Sequence, residues 1–167
     1  RDLVRSRGLG DVYKRQNTNR QRLTEVGQLG FRVDKATASL PQTTDAALFT
    51  ITGGRIYLTA IIGEVTTVMQ TQANNTKLVF NPTETGADQD MCAVLNTTGD
   101  AVGTLYTISG TVGDALRDDL WIGISMTYPM ILSEGDIELN CAASNTGSVS
   151  WTMFYYPIDT GATVASA

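Results

Sequence analysis

Residues 48–62, LFTITGGRIYLTAII, decide the fold class. Two runs of Leu, Phe, Ile, Tyr and Thr flank Gly53-Gly54. β-Branched and aromatic residues favour extended backbone, and a Gly-Gly pair supplies the positive φ of a tight turn. The stretch therefore predicts a β-hairpin, with strands at 48–52 and 55–62. In the second run Ile56, Leu58, Ala60 and Ile62 share one face, and Tyr57, Thr59 and Ile61 the other. Apolar residues on both faces predict a strand that is central in its sheet or lies between subunits.

The pattern continues outward from there. Gly63 should break the run, and 65–72 reads as a further strand. Asn74-Asn75 predicts a turn, since Asn tolerates the left-handed region, with a return strand at 77–81 closed by Pro82. A polar loop at 83–90 precedes a short buried run at 91–95 and a strand at 103–109. Residues 111–119 hold the one expected helical turn, centred on Ala115-Leu116-Arg117. Strands follow at 120–126, 130–132, 137–142 and 148–156. In the last two, Ile137, Leu139 and Cys141, then Val149, Trp151, Met153 and Tyr155, form the inward faces. About nine antiparallel strands with turn signals every ten residues or so predict an all-β fold, β-sandwich or jelly-roll-like, with a small barrel as the other form. The 24 Thr suit half-exposed strand faces.

Charge divides the chain unevenly. Residues 1–16 hold five bases and two acids, a net +3, which leaves seven bases and fifteen acids, a net −8, for the rest. The first segment, RDLVRSRGLGDVYKRQ, resembles translated sequencing-adapter sequence at the start of metagenomic open reading frames. The natural chain is then expected to begin near Asn17, with its own start missing. Residues 17–45 are polar, broken by Gly27, Gly30 and Pro41, and read as an extended arm with one short strand around 29–33. A single β-sandwich domain is expected at 46–160, and a tail that frays at 161–167.

Composition narrows the function classes. With no His, the chain lacks the residue for Ser-His or Cys-His nucleophile pairs and for His-containing zinc sites. A net charge of −5 argues against nucleic acid as a partner, and no apolar run approaches the ~20 residues of a membrane helix. Cys92 and Cys141 each sit in an apolar run and read as buried free thiols rather than a disulfide. No catalytic, cofactor-binding or metal residue is assigned, and no cofactor is expected.

Several clusters nonetheless bear on chemistry. Glu84, Asp88 and Asp90 could ligate Ca²⁺, but the EF-hand spacing is absent and a solvated loop is the plainer reading. Asp114 and Asp118, four residues apart, would share a helix face, with Asp119 beside them. A carboxylate pair can serve glycoside hydrolysis, yet a charged loop or cap explains the group as well. Lys77 has no SxxK-type neighbour and reads as a strand Lys opposing aggregation. Gly53-Gly54 matches neither GxGxxG nor a phosphate loop. Trp121, Trp151, Phe154, Tyr155 and Tyr156 could line a sugar-binding face. Core packing accounts for Trp151 and Trp121, and Phe154 with one of the two Tyr is a candidate subunit contact.

The stretch PQTTDAALFTITGGRIYLTAIIGEVTTVMQTQANNTKLVFNPT (41–83), with GTLYTISG (103–110) and NTGSVSWTMFYYPIDTGATV (145–164), resembles small structural proteins of tailed phages. The likeness spans residues 33–164. It implies a non-enzymatic virion subunit, of capsid-decoration or head–tail type, assembled in the host cytoplasm. Its partners would be itself, as a homo-oligomer, and other virion proteins. A carbohydrate- or surface-binding module of a fibre or secreted protein is the alternative, with glycan as its partner.

Overall fold

A computed structural model of the chain describes residues 29–84 and 86–167. The adapter-like segment 1–16 and the first part of the expected arm, 17–28, lie outside the described residues. The described residues are all β, in twelve strands: β1 (Phe31–Ser39), β2 (Asp45–Thr52), β3 (Ile56–Thr67), β4 (Asn75–Pro82), β5 (Gln89–Asp90), β6 (Leu95–Asn96), β7 (Thr104–Thr107), β8 (Arg117–Leu120), β9 (Met130–Leu132), β10 (Gly135–Cys141), β11 (Ser148–Pro157) and β12 (Thr163–Ser166).

They form two antiparallel six-stranded sheets. The front sheet runs β1-β11-β3-β7-β8, with β9 beside the first residues of β3. The back sheet runs β12-β2-β10-β4-β5, with β6 also on β4. Their inner faces meet in one core. Ile56, Leu58, Ile61, Val65, Trp151 and Met153 from the front pack toward Phe49, Ile51, Leu78, Ile137 and Leu139 from the back. Tyr106 stacks on Trp151 with ring centroids 6.4 Å apart. This arrangement is the β-sandwich expected from strand spacing.

Several local expectations change. Gly53-Gly54 does carry positive φ at both residues, but the strands it joins do not pair, so no hairpin forms. β2 lies in the back sheet between β12 and β10, and β3 lies in the front sheet between β11 and β7. The turn is an arch from one sheet to the other. It is fastened by Arg55, whose Nε and Nη2 each donate to Asp159 at 2.8 Å. Asn74-Asn75 is no turn: Asn75 opens β4, neither residue has positive φ, and the connection 68–74 joins strands of different sheets, β3 and β4.

Gly63 does not break β3. It pairs with both Trp151 and Tyr106, and a Cβ there would stand 2.8 Å from the Trp151 ring. The glycine makes room for the indole. The two apolar faces of β3 also have a structural cause. Phe154 pairs with Ala60 and Tyr155 with Leu58, leaving Thr59 as the extra residue of a β-bulge. The bulge inverts the alternation, so Ile56 and Leu58 point inward before it and Ile61 and Val65 after it, while Ile62 turns out. β3 is the central strand that two-sided apolarity predicted.

No helix occurs among the described residues. Residues 111–116 form a loop tied to 93 from both sides, with Ala93 N donating to Asp114 O at 2.8 Å and Leu116 N to Ala93 O at 3.0 Å. One turn cannot offset the cost of helix nucleation, and these external partners take the backbone groups a helix would need. The expected strand at 120–126 shifts to β8, after which the chain turns back.

Both ends of the domain extend beyond 46–160. Residues 31–39 of the expected arm are β1, paired along β11 from Phe31–Tyr155 to Ser39–Ser148. The tail at 161–167 does not fray, since β12 pairs with β2 from Thr163–Thr52 to Ser166–Phe49. The expected short strand around 29–33 is the start of β1, whose polar continuation hid the rest, while small side chains hid β12. An edge strand needs only one buried row, and its hydrogen bonds come from the neighbour.

Candidate functional site

The acidic residues singled out in the sequence separate in space. Asp90 faces Lys77 in an ion pair of 2.6 Å, so Lys77 is committed on the outer face of the back sheet. Asp88 instead joins Asp45 and Glu138, with a carboxylate oxygen of each within 4.8 Å of the others. Asp45 accepts from the Asn140 amide, and Glu138 accepts from Asn81 Nδ2 at 3.2 Å. Burial pushes the Glu138 carboxyl above its ordinary pKa, the Asn81 amide opposes this, and the charges of Asp45, Asp88 and Asp136 raise it further. The donor set is all carboxylate, the hard-oxygen type that suits a divalent cation. Sequence spacing could not reveal it, because Asp45, Asp88 and Glu138 come from three separate segments. Glu84 is not part of it.

The second acidic group has no helix to share. Asp114 accepts from Ser109 Oγ at 2.7 Å, while Asp118 and Asp119 lie on β8, opposite Tyr106 and Leu105. Tyr106 is buried and donates its hydroxyl to Asp100 at 2.6 Å. Burial raises the Asp100 carboxyl, and burial with the Asp100 contact pushes the Tyr106 phenol far up. Both cysteines are buried free thiols, raised chiefly by burial. Cys92 Sγ accepts from Leu78 N at 3.3 Å. Raised, buried thiols are poor nucleophiles.

An open cleft of about 730 Å³ lies where β9 of the front sheet and β5 of the back sheet face one another. Phe80, Met91, Leu132 and Val112 line it, with Asp88 and Arg55 among the polar residues. Arg55 is already held by Asp159, whose carboxyl this contact lowers.

The aromatic candidates divide sharply. Trp151 is 2 % exposed and Tyr155 is buried, as core packing predicted. Trp121 is 68 % exposed, which corrects its assignment to the core. Its φ is +65°, an uncommon value for a bulky residue, and it ends β8 by sending the chain back over the front sheet. Gly103 lies directly under the indole, and a Cβ there would collide with the ring. Residues 121–128 then run beside 103–109, with Trp121 N donating to Gly103 O at 3.1 Å and Thr127 N to Ser109 O at 2.8 Å. Gly123 rests on Leu105 and Thr107. A cavity of about 230 Å³ remains beneath, lined by Leu29, Ala60, Ile62, Leu105, Ile124 and Met126.

Next to this segment the outer face of the front sheet carries a cross-strand row, Tyr156–Tyr57–Ile131, in register on β11, β3 and β9. Ile122, Tyr128 and Ile131 are each more than 60 % exposed. Residues 121–133 contain no Asp, Glu, Lys or Arg. The sequence reading marked Phe154 and Tyr156 for this face but not Tyr57, Ile122, Tyr128 or Ile131. The uncharged run WIGISMTYPMILS was the available signal. No protein-family model matches the chain, and no curated protein or solved structure matches it.

Proposed function

We propose that the chain is a non-enzymatic structural subunit of a tailed-phage virion, a capsid-decoration or head–tail component that acts through contacts between subunits. The observation that carries this reading is the strand order. β1-β11-β3-β7 in one sheet and β2-β10-β4-β5 in the other fits the winding of a jelly roll, in which the chain passes repeatedly between two sheets. Viral capsid and lectin domains use that winding, a likeness at the level of fold. Sequence resemblance to phage structural proteins points the same way. Light scattering and negative-stain microscopy of the full chain, together with cosedimentation on empty tailed-phage capsid shells, test it. The expected result is a defined oligomer or saturable binding to shells. A strict monomer that binds no shell overturns it.

The cleft favours a second reading, a glycan-binding module, since jelly rolls also serve as lectins and about 730 Å³ falls in the range of ligand sites. Its aromatic lining residue, Phe80, is itself buried, so the exposed platform a sugar ring stacks on is missing there. A glycan array probed with and without chelator separates the two readings.

A further inference from the structure

We infer that the outer face of the front sheet around Trp121 is a self-contact surface, occupied by the same face of a second copy of this chain. The inference rests on the subunit reading above and names the surface and the partner.

Area comes first. Trp121, Ile122, Ile124, Tyr128, Ile131 and Tyr57 are all exposed. Together they present on the order of 700 Å² of largely apolar surface, at 150–250 Å² for a whole aromatic side chain. The largest patch on an ordinary monomer is about 300–600 Å², and each partner in a standard interface buries about 800 Å². The face exceeds an ordinary monomer's patch and approaches the size of one side of a standard interface.

Charge selects the occupant. A basic partner would be drawn to the carboxylates of Asp45, Asp88 and Glu138 on the opposite sheet, not to a segment without ionic groups. Two copies of a chain at net −5 repel one another. Contact costs least where neither copy brings charge, and 121–133 itself carries none, with Glu64 and Asp119 at its margin. A two-fold contact places the same patch on both sides, so an uncharged apolar face is complementary to itself.

Local geometry adds a third support. The backbone at Trp121 adopts a costly positive φ, and its ring packs over Gly103 while the residue stays largely exposed. Such a held, half-covered indole is the kind of residue that dominates binding energy.

The test compares the full chain with the double variant Trp121→Ser, Ile122→Ser and with Val94→Ser, an exposed position on the 91–95 loop, by sedimentation equilibrium. Near-UV circular dichroism from buried Trp151 verifies that each variant is folded. The expected outcome is self-association weakened roughly tenfold or more in the double variant and unchanged in Val94→Ser. Emission should also shift to the blue as wild-type concentration rises, because Trp121 is the exposed one of two tryptophans. If wild type and double variant associate equally, this face is not the contact, while the subunit reading stands. If wild type stays monomeric yet binds shells, self-contact is overturned and the virion reading survives. If it is monomeric and binds no shell, both fall.

Discussion

The two outer faces of this sandwich contrast in how they are finished. On the back sheet nearly every outward polar group has a partner within the chain. Thr50 donates to Asp136 at 2.6 Å, Thr52 and Thr163 lie 3.1 Å apart, Asn81 reaches Glu138, and Lys77 holds Asp90. On the front sheet polar groups pair where β1 meets β11, with Thr152 donating to Asp34 at 2.6 Å, but Tyr57 and Ile131 lie side by side and a loop adds Trp121, Ile122 and Tyr128. One face is mostly polar. The other leaves apolar surface exposed. Both rest on the same core, so the difference lies in the outward side chains.

That contrast can be broken or sharpened by experiment. The largest effect tests the shared support. Trp151→Ala should cost about 3–5 kcal/mol and remove both faces in one transition, measured by urea denaturation followed with far-UV and near-UV signals. Separate transitions would mean the sheets are not one cooperative unit. Next comes a charge placed on the apolar side. Ile62→Asp, beneath the 123–126 segment, should cost on the order of 3 kcal/mol, because the carboxylate has no ionic partner there. The converse change on the polar side should be milder. Thr50→Val removes one hydrogen bond to Asp136 and should cost about 0.5–1.5 kcal/mol in the same assay.

A pH series probes the acidic cluster. Glu138 holds its proton to higher pH in the folded chain than its ordinary 4.5. The folded state therefore binds more protons in the interval just above that value. Stability should be greatest below the interval and decline as pH rises through it. Glu138→Gln should flatten that slope in melting temperatures taken from pH 7 to pH 5. Asp159 is lowered by Arg55 and loses its contribution only below its ordinary 3.8, outside this window. The smallest effect is expected for Asp88→Asn, which relieves repulsion at the Asp45–Glu138 pair. It should raise stability by a few tenths of a kcal/mol, and a loss instead would mean the three carboxylates hold something in common.

Sequence and structure agree best where alternation is clean. Ile137, Leu139 and Cys141 on β10, and Val149, Trp151, Met153 and Tyr155 on β11, all point inward as read. Their legibility comes from the two-residue period of a strand, which backbone geometry imposes wherever the chain is extended. Only the start of β1 was read as strand, because polar residues follow it, and β12 was read as a tail because its residues are small. The bulge at Thr59 leaves no mark in composition, yet it reverses every facing residue after it. Asp88 was marked with Glu84 and Asp90 as a loop cluster. Its nearer companions Asp45 and Glu138 lie 43 and 50 residues away along the chain and meet it only through sheet pairing.

By itself the sequence determined that this chain is β-rich, that it has enough alternating apolar residues for one core, and that it lacks histidine chemistry. Those properties follow from local preferences and from composition, which need no knowledge of neighbours. The tertiary structure alone decided that Gly53-Gly54 joins two sheets instead of closing a hairpin, that Trp121 stands in solvent while Trp151 is buried, and which outer face stays apolar. Each of these depends on which strand pairs with which across long stretches of chain. Such pairing is settled by the packing of the whole core, not by any one segment.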